Sequence, residues 1–131
     1  MTNRRTGRRL CRTTRATLGD AAELEALKFL QKQGLRLVTR NFRCRTGELD
    51  LVMRDGTCLV IVEVRFRSGT FVDPAESVDA RKQLKLARAT SFFLAGNPAL
   101  CDLAVRFDVV AVERASDARG RIQWIRDAFR V

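Results

Sequence analysis

Residues 47–68 read GELDLVMRDGTCLVIVEVRFRS. Two apolar, β-branched runs flank an Asp55-Gly56 pair, the strongest short-range signal for a tight β-hairpin. A two-residue loop at Asp55-Gly56 faces Arg54 with Thr57, and counting back from there sets Asp50 opposite Ile61 and Glu48 opposite Glu63. Side chains alternate between the two faces of a strand, so Glu48, Asp50, Glu63 and Arg65 fall on one face. Asp50 and Glu63 become diagonal neighbours with β-carbons roughly 7 Å apart, within reach of one cation. The fold turns on this stretch, because each of its two strands carries acid where a strand should be apolar.

Upstream, Leu18 to Gln33 reads as a helix stopped by Gly34. On a helical wheel Ala26, Leu27 and Leu30 lie within about 60° of Glu23, while Glu25, Lys28 and Lys32 point away. Glu23 thus occupies the middle of the core-facing stripe. A buried carboxylate there needs a cation, an arginine partner or an edge to snorkel to, and the wheel leaves these open. Leu35 to Cys44 alternates as a strand leading into the hairpin. Downstream, a loop through Asp73-Pro74 precedes a second helix from Val78 to Ala95, ended by Gly96-Asn97-Pro98. Ala80, Leu84 and Ala87 are its expected packing side. Arg81, Lys82, Lys85 and Arg88 form a basic stripe that can track phosphates or simply face water. Gln83 borders that stripe. Ala104 to Glu113 is a further strand, Asp117 to Gly120 a turn, and Ile122 to Ile125 a returning strand. Trp124 and Phe129 read as packing residues, since no alternating basic and aromatic pattern marks a base-stacking platform. The order α, β, β, β, α, β, β suits an α/β domain with a mixed sheet and a helix on each side.

The chain of 131 residues fits one domain over residues 18–131, preceded by an Arg- and Thr-rich, acid-free tail over residues 1–17 that reads as disordered. Net charge is +10, and six of the 25 basic residues precede the first acid, Asp20; removing those six leaves +4. A basic balance points to a polyanionic partner such as nucleic acid. The chain has no histidine, which excludes Ser-His and Cys-His catalysis. Its four cysteines are scattered without a C-x-x-C pair, which argues against structural zinc and for reduced thiols in the cytoplasm. No apolar run reaches membrane-spanning length, and no membrane partner is expected.

Glu23, Asp50 and Glu63 are hard oxygen donors, a set that suits Mg²⁺ or Mn²⁺. Such an ion polarises a phosphodiester and acidifies a bound water, so metal-assisted hydrolysis of nucleic acid needs no histidine base.

Five motifs in order carry a family resemblance: Gly19-x-x-Ala22-Glu23-x-x-Ala26, Gly47-Glu48-Leu49-Asp50-Leu51, Val62-Glu63-Val64-Arg65, Lys82-Gln83 and Arg106-Phe107-Asp108-Val109-Val110. From about Leu18 to Phe129 the chain resembles the YraN family of uncharacterised bacterial proteins. That family is similar to the PD-(D/E)XK nucleases and most closely to archaeal Holliday junction resolvases. The resemblance implies a restriction-endonuclease-like α/β fold, metal ligands at Asp50 and Glu63, a helical acid at Glu23 and a helical polar residue at Gln83. It further implies activity on structured or branched DNA, and a resolvase-like activity implies a homodimer that addresses two strands symmetrically. One position departs from the superfamily: Arg65 stands where a lysine usually follows the catalytic glutamate by two residues. A guanidinium stays protonated, so it can stabilise charge but not take up a proton. The sequence therefore leaves three functions open: a nuclease, a nuclease fold that only binds nucleic acid, and a protein-interaction domain whose acids pair with arginines.

Overall fold

A computed structural model describes residues 14–68, 78–114 and 120–131. Residues 1–13 of the expected tail, the loop with Asp73 and Pro74, and the turn from Asp117 lie outside the described residues. Helix α1 spans Thr14–Lys32 and so begins ahead of the expected Leu18. It is followed by β1 (Arg36–Cys44), β2 (Gly47–Asp55), β3 (Cys58–Ser68), α2 (Ala80–Ala95), a single 3₁₀ turn at Pro98–Leu100, β4 (Ala104–Arg114) and β5 (Gly120–Phe129). The five strands form one sheet in the order β1-β2-β3-β4-β5. Only β3 and β4 run parallel, and α2 makes the crossover between them. The mixed sheet with a helix on each face is the architecture of a restriction-endonuclease-like α/β domain. No described helix is long and apolar enough to cross a membrane.

Local chemistry accounts for the element boundaries. Gly34, at φ +100°, ends α1 with its N–H on the Gln31 carbonyl, while the Leu35 N–H reaches back to Leu30. This is the Schellman closure, and both leucines of its apolar contact are buried. Asp79 caps α2, accepting the Lys82 N–H at 2.9 Å.

Two clusters fill the space between sheet and helices. Ala22, Ala26, Leu27 and Leu30 of α1 pack on Leu51, Met53, Val60, Val62, Val110 and Val112. Leu86, Ala89 and Phe93 of α2 pack on Leu49, Val52, Leu59, Ile61 and Val109. The expected packing side of α2 is corrected by this: Leu84 is exposed, and the buried stripe is Leu86, Ala89, Thr90 and Phe93. Both sets keep helical spacing, but Leu86 and Phe93 give the buried seam more apolar bulk than one leucine and two alanines. Trp124 meets Phe29 edge to face at 6.0 Å and Phe129 stacks on Phe107 at 5.0 Å, both as packing residues.

The hairpin register also differs from expectation. Asp55 pairs with Cys58 and Arg54 with Leu59, so the loop is Gly56-Thr57. Gly56 has φ +62°, the left-handed value that the first central residue of a hairpin turn needs, and this draws it into that position ahead of Asp55. Asp55 stays in the strand, where Arg106 approaches it at 3.4 Å. The pairing moves two residues along β3, bringing Asp50 level with Glu63 rather than with Ile61.

β4 and β5 are locked by Asp108, which is fully buried. Its carboxylate accepts from Arg106 Nε at 2.9 Å and Nη2 at 3.0 Å, from the Trp124 indole at 2.9 Å and from the Asp127 N–H at 2.9 Å. The register shifts between Phe107 and Val109, and Asp127 takes φ +52°. Asp108 thus collects the N–H that this irregularity turns away from the ladder. Asp108→Ala leaves Arg106 only its longer contact with Asp55, strips the Trp124 indole and the Asp127 N–H of their acceptor, and is expected to lower stability by about 3–5 kcal/mol, read as a fall in the urea midpoint at unchanged slope.

Candidate metal and nucleic-acid site

Asp50 marks an interruption in the sheet. The β2–β3 ladder runs from Asp55↔Cys58 to Leu51↔Val62 and stops there. On the other side, the pairs Arg40↔Leu51 and Phe42↔Leu49 bracket Asn41 and Asp50. Leu49 and Leu51, two residues apart, would share a face of a regular strand, yet Leu49 belongs to the α2 cluster and Leu51 to the α1 cluster. The strand therefore swivels at Asp50, and Asn41 beside it takes a left-handed φ of 56°, a conformation that asparagine tolerates better than most residues. The Val64 N–H, lacking a ladder carbonyl, donates to Asp50 Oδ2 at 2.9 Å.

This geometry crowds carboxylates. Burial, and next the negative charge of Glu63, push the Asp50 carboxyl up to about 7, with Glu23 and Glu48 adding to the rise and the Val64 N–H opposing it. Glu63 is itself only 5% exposed on central β3. Its Oε2 meets Lys82 Nζ at 3.3 Å and Arg65 Nε at 3.7 Å. Glu23, half-buried on α1, is raised by burial first and then by Asp20, with Arg40 and an Asn41 hydrogen bond pulling the other way. Its Oε1 is buried without a hydrogen-bond partner.

Asp50, Glu63, Arg65 and Lys82 thus come together, and Glu23 enters the same field from the opposite helix. Gln83 does not turn to the carboxylates through its amide nitrogen, which donates to the Val78 carbonyl at 3.0 Å. Arg81 and Arg88 are exposed and make no ion pair among the described residues, and Lys85 faces the turn between β1 and β2. Lys82 is the residue whose setting the sequence conceals: it reads as a surface cation, but it lies one turn ahead of buried Leu86 and so heads the packing stripe. Asn41 is likewise missed, its one signal being an asparagine inside a strand.

No group of three His, Cys, Asp or Glu side chains among the described residues forms a ready metal cage. Mg²⁺ does not require one, since it is commonly held by one or two carboxylates with waters and substrate phosphates. A repelling carboxylate pair and an orphaned carboxylate oxygen fit such an ion.

These features define the class as an α/β protein with a restriction-endonuclease-like sheet and acids at a break in it. Residues 22–112 match the profile of the family described as "Uncharacterised protein family UPF0102". The chain is 49% identical to a UPF0102 protein of Pseudomonas putida over 85% of this chain and 91% of that one. It is 48% identical to one of Pseudomonas syringae pv. syringae over 90% and 97%, and 53% identical to one of Xanthomonas campestris pv. campestris over 86% and 91%. The chain belongs to the UPF0102 family, the YraN family of its sequence motifs.

The raised Asp50 carboxyl fixes a pH dependence. In the unfolded chain aspartate ionises near its ordinary 3.8, but in the folded protein only near about 7. The folded state therefore binds the extra proton between these values, and the stability it lends is complete below about pH 4 and lost as pH rises through about 7. Without divalent metal, the melting temperature is expected to gain from this group at pH 5 relative to pH 8, and Asp50→Asn to flatten the difference. Mn²⁺, which competes with the proton, is expected to raise the melting temperature more at pH 8 than at pH 5, and not at all in Asp50→Asn.

Proposed function

We propose that this chain is a divalent-cation-dependent nuclease that hydrolyses phosphodiester bonds of structured or branched DNA. The observation that carries the reading is the approach of half-buried Asp50 to buried Glu63 at the break in the β2–β3 ladder, where two carboxylates repel unless a proton or a cation intervenes. Asp50 and Glu63 hold the ion, with the free Oε1 of Glu23 available to it or to its water. Bound there, Mg²⁺ or Mn²⁺ supplies charge neutralisation at the phosphate and a more acidic water.

The chain's own residues do the remainder. Hydrolysis adds a water oxygen to phosphorus, breaks one P–O ester bond and gives a proton to the departing oxygen. Arg65 beside Glu63 donates hydrogen bonds to the charge that develops on the phosphoryl oxygens, and its guanidinium stays protonated throughout. Lys82, on the same carboxylate oxygen of Glu63, carries an ammonium that donates hydrogen bonds to the charge developing at the phosphate. It brings from α2 the ammonium that the Arg65 position lacks. Arg81, Lys85 and Arg88 carry the backbone of the strand.

One observation favours a second reading, a nuclease fold kept for binding alone: Arg65 replaces the usual lysine. The two readings part in a cleavage assay on a labelled four-way junction and a duplex control, with Mg²⁺, Mn²⁺ or chelator. The nuclease is expected to cut only with metal, and Asp50→Ala with Glu63→Ala to abolish cutting. Lys82→Ala is expected to slow it by about 10²–10³-fold, the range for losing one donor aimed at developing charge. Cleavage that survives the double substitution would sink the assignment, and binding without cleavage in any metal would establish the second reading.

A further inference from the structure

Beside the acidic centre, the turn between β1 and β2 and the middle of α2 enclose a cleft of about 420 Å³, lined by the turn residues from Arg43 to Glu48 and by Lys85. Three of its side chains are cationic and one is anionic. Glu48 meets Arg43 at 3.2 Å, but both side chains are more than half exposed, so the pair is weak and easily exchanged. Arg45 and Lys85 make no ion pair among the described residues. The cleft therefore holds an excess of positive charge that nothing described in the protein neutralises.

Its floor carries a polar group as well, the Cys44 sulfur, which lies 3.3 Å from Thr46 Oγ1. The Thr46 hydroxyl, and after it the backbone N–H groups of Thr46 and Gly47, hold the Cys44 thiol below its ordinary range. Gly47 has φ +152°, which side chains rarely adopt, and a β-carbon there would lie 3.8 Å from Lys85 Cβ and from the Lys85 carbonyl oxygen. The turn thus rests against α2 at the residue that contributes its cation.

Both walls lead to the acids. Glu48 stands two residues before Asp50 along β2, and Lys85 stands one helical turn after Lys82, which pairs with Glu63. The geometry points to the cleft as a phosphate-binding subsite for a nucleic-acid strand, holding backbone phosphates next to the one presented to Asp50 and Glu63. Arg45 and Lys85 are its anion-binding groups. The assignment rests on the nucleic-acid part of the function proposed above but not on catalysis.

The test is binding without cleavage: fluorescence anisotropy of a labelled four-way junction in chelator, over a series of salt concentrations. Arg45→Ala with Lys85→Ala removes two phosphate contacts. It is expected to weaken binding about thirty-fold at 0.15 M salt and to make the slope of log K against log salt shallower by about 1.8. Lys28→Ala with Lys32→Ala, an equal loss of charge on the exposed face of α1, is expected to leave that slope unchanged. Equal losses in the two double variants would overturn the subsite, as would binding indifferent to Arg45 and Lys85. Absence of any binding by the unaltered protein would overturn it together with the nucleic-acid reading. Binding without cutting in metal would remove only the nuclease. Alkylation rates of Cys44, read by peptide mass against exposed Cys101, add a measure of occupancy. DNA is expected to slow Cys44 several-fold and leave Cys101 unchanged, while equal protection of Cys44 by inorganic phosphate at matched concentration would overturn a site for a strand.

Discussion

The hydrogen bond from the Val64 N–H to the Asp50 carboxylate decides how the centre of this protein is arranged. A central sheet cannot leave a backbone N–H unpaired without a penalty of about 1–3 kcal/mol, so a break in a ladder must be closed by something. Here a side chain closes it. That substitution lets β2 swivel, sends Leu49 to one core and Leu51 to the other, and brings an ionisable group level with Glu63. The left-handed turn of Asn41 on the neighbouring strand is the matching adjustment, and it brings an amide to Glu23.

Two carboxylates make an instructive contrast. Asp108 accepts four hydrogen bonds, two of them from the guanidinium of Arg106, and it is complete as it stands. Asp50 has one backbone donor and three acidic neighbours, and burial drives it toward the protonated form. The first arrangement holds two strands together. The second is costly to a folded chain in the absence of a ligand, which is the pattern expected where local consistency yields to function.

Much of the architecture was legible in the residues. The order of elements, the two-sided mixed sheet, the inward stripe of α1 around Glu23 and the hairpin of β2 and β3 all follow from periodicity and turn chemistry. The register did not, because Asp55-Gly56 and Gly56-Thr57 are both acceptable two-residue loops and only the left-handed demand of Gly56 chooses between them. Parity survived the two-residue shift, so the acids still met. The packing face of α2 differs from expectation for another reason: Leu84 is apolar enough to suggest burial, while Thr90 and Ala89 of the true seam carry little signal. That rotation also hid Lys82, whose partner lies on an element that spacing along a single helix cannot indicate. The alignment of α2 against β3 is a tertiary fact, and the ion pair between Lys82 and Glu63 depends on it.

The kink at Asn41 has an effect on the outside of the molecule too. β1 is the last strand of the sheet, and a straight outer strand offers an open row of N–H and C=O groups to any other chain. Here a left-handed residue breaks that row midway, and the exposed side chains of Arg36 and Arg43 add charge along it. The irregularity that gathers the carboxylates inside thus also blunts the rim against strand addition. Two copies of this chain that met to embrace a branched substrate would not be joined by extending β1 of one sheet onto β1 of the next.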